Sequence, residues 1–197
     1  MRLLIDAHTM GNFNQGSKSF LINVLSSFSL NKTNEYIILL PRGHKNVDLF
    51  LNRQTLKVNC FLPTSFLRYL IVLPFYMRKF RVDVVYTQYI IPIIPVRNVK
   101  RVVTIHDVIF LDKPHLYSSL HRLVRTFLYS FSYRNSDLCT TVSNYSLTRL
   151  QYHFGRKDEI ILTENAIDVP DYSRNILFKN GPSLPYFLYV SRFEPRK

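Results

Sequence analysis

Short apolar runs rich in β-branched residues alternate along the chain with stretches of helical period. Leu3-Leu4-Ile5 opens it as a strand, and Phe20, Leu21, Val24, Leu25 and Phe28 then recur at intervals of three and four residues, the spacing of one helix face. Further strands are predicted over 36–40, ended by Pro41, and over 56–62, 82–87, 102–105, 138–142 and 160–163. Residues 66–80 read as a helix kinked at Pro74, because proline removes a donor from the helix interior. Leu120, Leu123, Val124, Phe127, Leu128 and Phe131 make one apolar stripe on another helix. A last helix starts after Ser143, whose hydroxyl suits an N-cap, and stops at Gly155. Near-continuous apolar strands between helices imply a parallel sheet covered on both faces. The expected fold class is α/β, a doubly wound, Rossmann-like parallel sheet.

The pattern breaks after residue 168. Residues 169–185 are polar and hold Pro170, Asn180-Gly181-Pro182 and Pro185, which reads as a linker. It joins a domain over 1–168 to one more apolar strand, 186–190, and a charged turn, 191–197. A lone strand cannot bury itself, so residues 186–197 are expected to begin a second domain whose remainder is missing.

Composition narrows the partners. The 197 residues are 47% hydrophobic, enough for a sizeable core. Lys and Arg number 26 against 13 Asp and Glu, a net charge of +13. Nucleic acid, anionic lipid and phosphorylated substrate are the partners such a charge suits. Cys60 and Cys139 lie in apolar runs and read as buried thiols in a reducing compartment. No Cys and His residues have metal-ligand spacing. The N-terminal apolar run is too short for a signal peptide, and the run over 70–77 falls well short of the roughly 20 residues of a membrane span. A cytoplasmic location is expected, with any membrane attachment peripheral, on the inner face.

Ligands of open parallel sheets bind beyond the carboxyl ends of the strands. Gly16, at the start of the first helix, offers free N–H groups to a phosphate; read alone it is equally a plain turn. His106-Asp107 follows a strand end, where a histidine can bind a sugar hydroxyl or developing charge; the competing reading is a turn closed by Asp107. Arg192, Glu194, Arg196 and Lys197 suit a diphosphate, or equally a solvated tail. The segments around 66–81 and 116–134 mix aromatic with basic residues, as anionic membrane surfaces and single-stranded nucleic acid both favour; an ordinary core with a solvated charged face is the alternative.

Read together, the segments resemble the family 4 glycosyltransferases along nearly the whole chain. The resemblance rests on six motifs in order: Asp6-Ala7-His8 with Gly16; Asp83-Val84-Val85-Tyr86-Thr87-Gln88-Tyr89-Ile90-Ile91-Pro92; Val103-Thr104-Ile105-His106-Asp107; Thr141-Val142-Ser143-Asn144-Tyr145-Ser146; Asn165-Ala166-Ile167-Asp168; and Tyr189-Val190-Ser191-Arg192-Phe193-Glu194-Pro195-Arg196-Lys197. Departures from the family pattern are Lys18 and Ser191 for a common Gly, Tyr86 for a common His, and Ala166 for a common Gly.

The resemblance implies the N-terminal half of a GT-B enzyme that transfers a hexose, mannosyl-type transfer included, from a nucleotide sugar with retained anomeric configuration. The acceptor is a glycan or lipid-linked molecule, the setting polysaccharide or lipopolysaccharide biosynthesis. His106 would contact the donor sugar as the catalytic residue; Gly16, Arg192 and Lys197 would bind the donor diphosphate. Asp107, Gln88, Ser143 and Asn165 would be acceptor-side or supporting. Neither cofactor nor metal is implied; the nucleotide sugar is a substrate. Because the family's donor domain is missing after Lys197, the chain alone is expected to be nearly inactive. The rival readings are a non-catalytic half that binds a separate C-terminal polypeptide, a basic nucleic-acid-binding domain, disfavoured by scattered charge, and a gene fragment without function.

Overall fold

A computed structural model describes residues 1–11, 16–28, 33–41, 55–60, 65–166, 185 and 187. The chain divides into one unit over Met1–Ala166 and a second over Ile167–Lys197. The described residues lie almost wholly in the first unit. The linker and strand expected over 169–190, and the charged turn with Arg192 and Lys197, fall outside them apart from residues 185 and 187.

Among the described residues seven strands form one sheet: β1 (Arg2–Asp6), β2 (Glu35–Pro41), β3 (Thr55–Cys60), β4 (Val84–Gln88), β5 (Lys100–Thr104), β6 (Leu138–Thr141) and β7 (Ile160–Leu162). Their order is β3-β2-β1-β4-β5-β6-β7, and every pairing is parallel. The α/β, doubly wound expectation holds. The chain winds outward from β1 in one direction and from β4 in the other, so the switch point lies between these two strands.

Both faces carry helices. Helix α1 (Gly16–Phe28) packs Phe20, Leu21 and Leu25 against Leu3, Ile5, Tyr36 and Ile38 on one face. The other face buries Leu4, Ile37, Val85, Val103 and Cys139. It is covered by α3 (Leu73–Lys79), α5 (Ser119–Asn135) and α6 (Asn144–Phe154), through Leu73, Met77, Tyr129, Tyr133, Leu150 and Phe154. Burial on two faces explains why β1 and β4 read as unbroken apolar runs. The Cys139 thiol sits in this core, and burial pushes its pKa up to about 11.

Caps set the helix ends. Ser143 accepts a hydrogen bond from the Ser146 N–H at 3.1 Å, and α6 ends at Gly155 with φ 88°, a conformation that suits glycine. The end of α5 is closed by Lys157, whose ammonium donates to the carbonyls of Tyr133 and Ser136 at 2.7 and 2.8 Å and to the Ser136 hydroxyl at 2.9 Å.

Two points of the sequence reading change. The distortion in the 65–79 helix lies ahead of Pro74. Between α2 (Ser65–Leu67) and α3, residues Arg68–Val72 form a π-helical stretch, with the Leu73 N–H bonding back to the Arg68 carbonyl. Pro74 falls in the first turn of α3, where a missing N–H is harmless. The second concerns α5, whose stripe the sequence left open between surface and core. Leu120, Leu123 and Phe127 are about 70% exposed and Val124 is half-exposed, while Tyr129, Ser132 and Tyr133 carry the buried face. The stripe is therefore mostly surface. The helix meets the sheet through its C-terminal half, and its larger aromatic residues are placed there.

Candidate functional site

The carboxyl ends of β1, β4, β5 and β6 converge at the switch point. Asp6 ends β1 and is fully buried; Gln88 ends β4 and is fully buried; His106 follows β5 and is 8% exposed. Gln88 donates through Nε2 to the Ser17 carbonyl at 3.1 Å. The His106 ring meets Phe20 edge-on, centroids 4.9 Å apart. These contacts place the first turn of α1, opened by Gly16, against the ends of β4 and β5.

His106 is held from behind. The Ser146 hydroxyl donates to the His106 carbonyl at 2.7 Å, Ser143 orients Ser146, and the Thr141 hydroxyl donates to the Ile105 carbonyl at 2.8 Å. The ring rests against Tyr89 at 5.1 Å. Its Nε2 is buried without a hydrogen-bond partner, and burial lowers its pKa to about 4. At neutral pH it is an uncharged imidazole with one unspent polar atom. It can bind a hydroxyl; it cannot serve as a cationic acid.

Tyr89 has φ 68°, a left-handed backbone that bulky residues rarely adopt. The reversal turns its ring between His106 and Tyr129, on which it stacks at 5.6 Å. A second group surrounds the end of β1. The Arg68 Nε lies 3.2 Å from Asp6 Oδ2, and the His8 Nδ1 lies 3.2 Å from the same oxygen. Arg68 also donates to the Tyr69 hydroxyl at 2.7 Å. Burial would raise the Asp6 pKa, but His8 and Arg68 outweigh it and hold the carboxyl below its usual range. Arg68 and Tyr69 line a cleft of about 520 Å³ with His8, Tyr89, His121 and Arg125.

The expected residues divide. His106, Gly16 and Gln88 come together, although Gln88 is a buried tether and a Cβ on Gly16 would meet nothing within 4 Å. Asp107 is exposed, and its Oδ1 accepts from the Ile109 N–H at 3.3 Å, so it does close a turn. Ser143 supports His106 through Ser146. Asn165 is exposed beyond the end of β7. Tyr86 ties its hydroxyl to Thr104 at 2.8 Å, which in turn meets Thr140 at 2.7 Å. That Arg68, Tyr89 and the Asp6–His8 pair come together at one cleft emerges only in the structure. No spacing rule marks two adjacent residues brought inward by a π turn, and left-handed φ at a tyrosine leaves no trace in composition.

No group of three or more His, Cys, Asp and Glu among the described residues could hold a metal. No described helix is long and apolar enough to cross a membrane.

A switch-point crevice with a helix N-terminus on one wall and a neutral histidine on the other is where open parallel sheets of this class bind their ligands. Comparison with known proteins sharpens this. The pattern of Glycosyltransferase Family 4 matches residues 40–170, and the chain belongs to that family. Sucrose-phosphate synthase from Thermosynechococcus elongatus superposes with a TM-score of 0.52 at 11% identity, over 84% of this chain and 90% of that one, a likeness of fold. A glycosyltransferase from Rickettsia africae is similar at a TM-score of 0.49 and 13% identity, over 85% of this chain and 43% of that one. No curated protein sequence matches the chain.

Proposed function

We propose that the chain forms the acceptor-side half of a retaining GT-B transferase that moves a hexose from a nucleotide sugar to a glycan or lipid-linked acceptor. The observation that carries this reading is the neutral, unpartnered His106 Nε2 at the switch point of a family 4 glycosyltransferase domain.

In this mechanism His106 binds a hydroxyl of the donor sugar beside the reacting carbon. The first turn of α1 faces the diphosphate with its N–H groups. Arg192 and Lys197, with a donor domain that begins near residue 186, neutralise charge on the departing nucleotide. The acceptor lies on the Tyr89 side of His106. Cytoplasmic location with peripheral contact to an anionic membrane fits the same scheme. The helices over 65–79 and 119–135 contain no acidic residue. They expose Phe66, Ile71, Phe75, Leu120, Leu123 and Phe127 by 55% or more.

The test is a transfer assay on the protein from its source, with any polypeptide that co-purifies, using UDP- and GDP-hexoses. Product anomers are read by NMR. Retained configuration is expected, with His106→Ala lowering kcat about 100-fold or more, the scale of losing one aimed polar group. Because His106 is neutral down to about pH 4, the wild-type profile should show no step from this residue between pH 5.5 and 8. An inverted product, or full activity in His106→Ala, refutes the reading.

A further inference from the structure

The cleft between the end of β1, the π-helical stretch and the start of α5 has features the transfer reaction does not require. Its volume of about 520 Å³ is in the range of small-molecule sites. Of its lining nitrogens, His8 Nδ1 and Arg68 Nε each face Asp6 Oδ2 at 3.2 Å, and His121 Nδ1 is buried with no hydrogen-bond partner. A buried nitrogen left in that state is expensive and calls for a ligand or an ion.

Arg68 is 5% exposed. A guanidinium carries five N–H groups, more than its contacts with Asp6 and Tyr69 use. The π-helical register that turns Arg68 and Tyr69 inward together is rare and frequent at functional sites. The one buried carboxylate here, Asp6, is spanned by Arg68 and His8, so Arg125 leaves the cleft an excess of positive charge. The aromatic wall of Tyr89 and Tyr129 runs from these cations to His106.

We propose that this cleft binds a phosphate group carried by the acceptor, gripped by Arg68 and Arg125, with the acceptor's sugar set against Tyr89. The inference rests on the reading of the protein as a glycosyltransferase and names the chemistry of its acceptor. Arg is suited to the task because its planar fork matches phosphate oxygens. The apolar Leu120 and Val124 at the same cleft accommodate whatever the phosphate is attached to.

Inorganic phosphate, titrated calorimetrically into the full chain at low salt, is the first probe. One site per chain is expected. Arg125→Gln should weaken it about tenfold. Arg68→Lys, which keeps a charge beside Asp6 and so protects the fold, should weaken it several-fold through loss of the fork. Arg78→Gln with Lys79→Gln, outside the cleft, should change it less than twofold. Two further arms separate the sources: a soluble hexose phosphate, and vesicles carrying phosphatidic acid, each in competition with inorganic phosphate. Competition by the first assigns a soluble acceptor, and by the second a lipid one. Phosphate affinity that is unaffected by Arg125→Gln and Arg68→Lys, or that falls equally in the Arg78/Lys79 variant, overturns the proposal. The readout is binding, so phosphate at this cleft beside an inverted product, or beside full activity in His106→Ala, would refute the transferase reading alone. Transfer without phosphate binding would refute the cleft alone.

Discussion

Replacing Arg68 by Met should strand a carboxylate. Asp6 is fully buried and Arg68 nearly so, with Nε and Oδ2 3.2 Å apart. At an effective dielectric of 20 two unit charges at that distance attract by about 5 kcal/mol. Desolvation offsets much of this in the intact pair, but removing Arg68 abolishes the attraction while Asp6 stays desolvated, so single deletions of this kind cost about 3–5 kcal/mol. The lower end is expected for Arg68→Met, because His8 remains beside Asp6. The double variant Asp6→Asn with Arg68→Met removes both charges and should recover at least about 1.5 kcal/mol relative to the sum of the singles. Urea unfolding followed by circular dichroism at pH 7 measures all four corners of the cycle. The pH dependence gives a second readout. The folded-state pKa of Asp6 is lowered, so its charge contributes stability above the unfolded value of about 4. That contribution is lost as pH falls through the folded value. The gap between wild type and Asp6→Asn should close in acid. An Arg68→Met protein within 1 kcal/mol of wild type at pH 7, or singles that simply add, would refute the reasoning.

Two other outcomes are expected. Lys157→Met removes the ammonium that closes the last turn of α5 through three hydrogen bonds; a loss of about 2 kcal/mol in urea unfolding is expected, discounted for its partial exposure. Leu123→Glu with Phe127→Glu, both on the exposed face of α5, should reduce co-sedimentation with phosphatidylglycerol vesicles at least fivefold and leave the unfolding midpoint within a few degrees, since neither side chain is in the core; wild-type sedimentation should fall with added salt.

The sheet was legible because parallel strands buried on both faces announce themselves as apolar runs. β1 and β4 needed no tertiary information, and the 102–105 and 138–142 predictions differ from Lys100–Thr104 and Leu138–Thr141 by two residues or fewer at either end. The helices were legible as helices but not as faces. Periodicity alone left Leu120, Leu123 and Phe127 open between core and surface, because an apolar stripe looks the same whether it meets the sheet or faces out. His106 could be found because strand ends are predictable in this fold. Its neutrality could not be, since that follows from burial. Arg68 and Tyr89 escaped for a different reason. One depends on a shift in helical register and the other on a backbone reversal, and neither leaves a periodic mark.

Cys139 offers a practical consequence. Alkylating and disulfide reagents react with thiolate rather than thiol, and a fully buried thiol on β6 whose pKa stands near 11 meets neither requirement of ionisation or access. Iodoacetamide labelling of the peptide that carries this residue therefore proceeds only when the strands around it come apart. The protein thus holds its own chemical reporter of opening, one that can be read by mass spectrometry in a cell lysate without purification or a fluorophore.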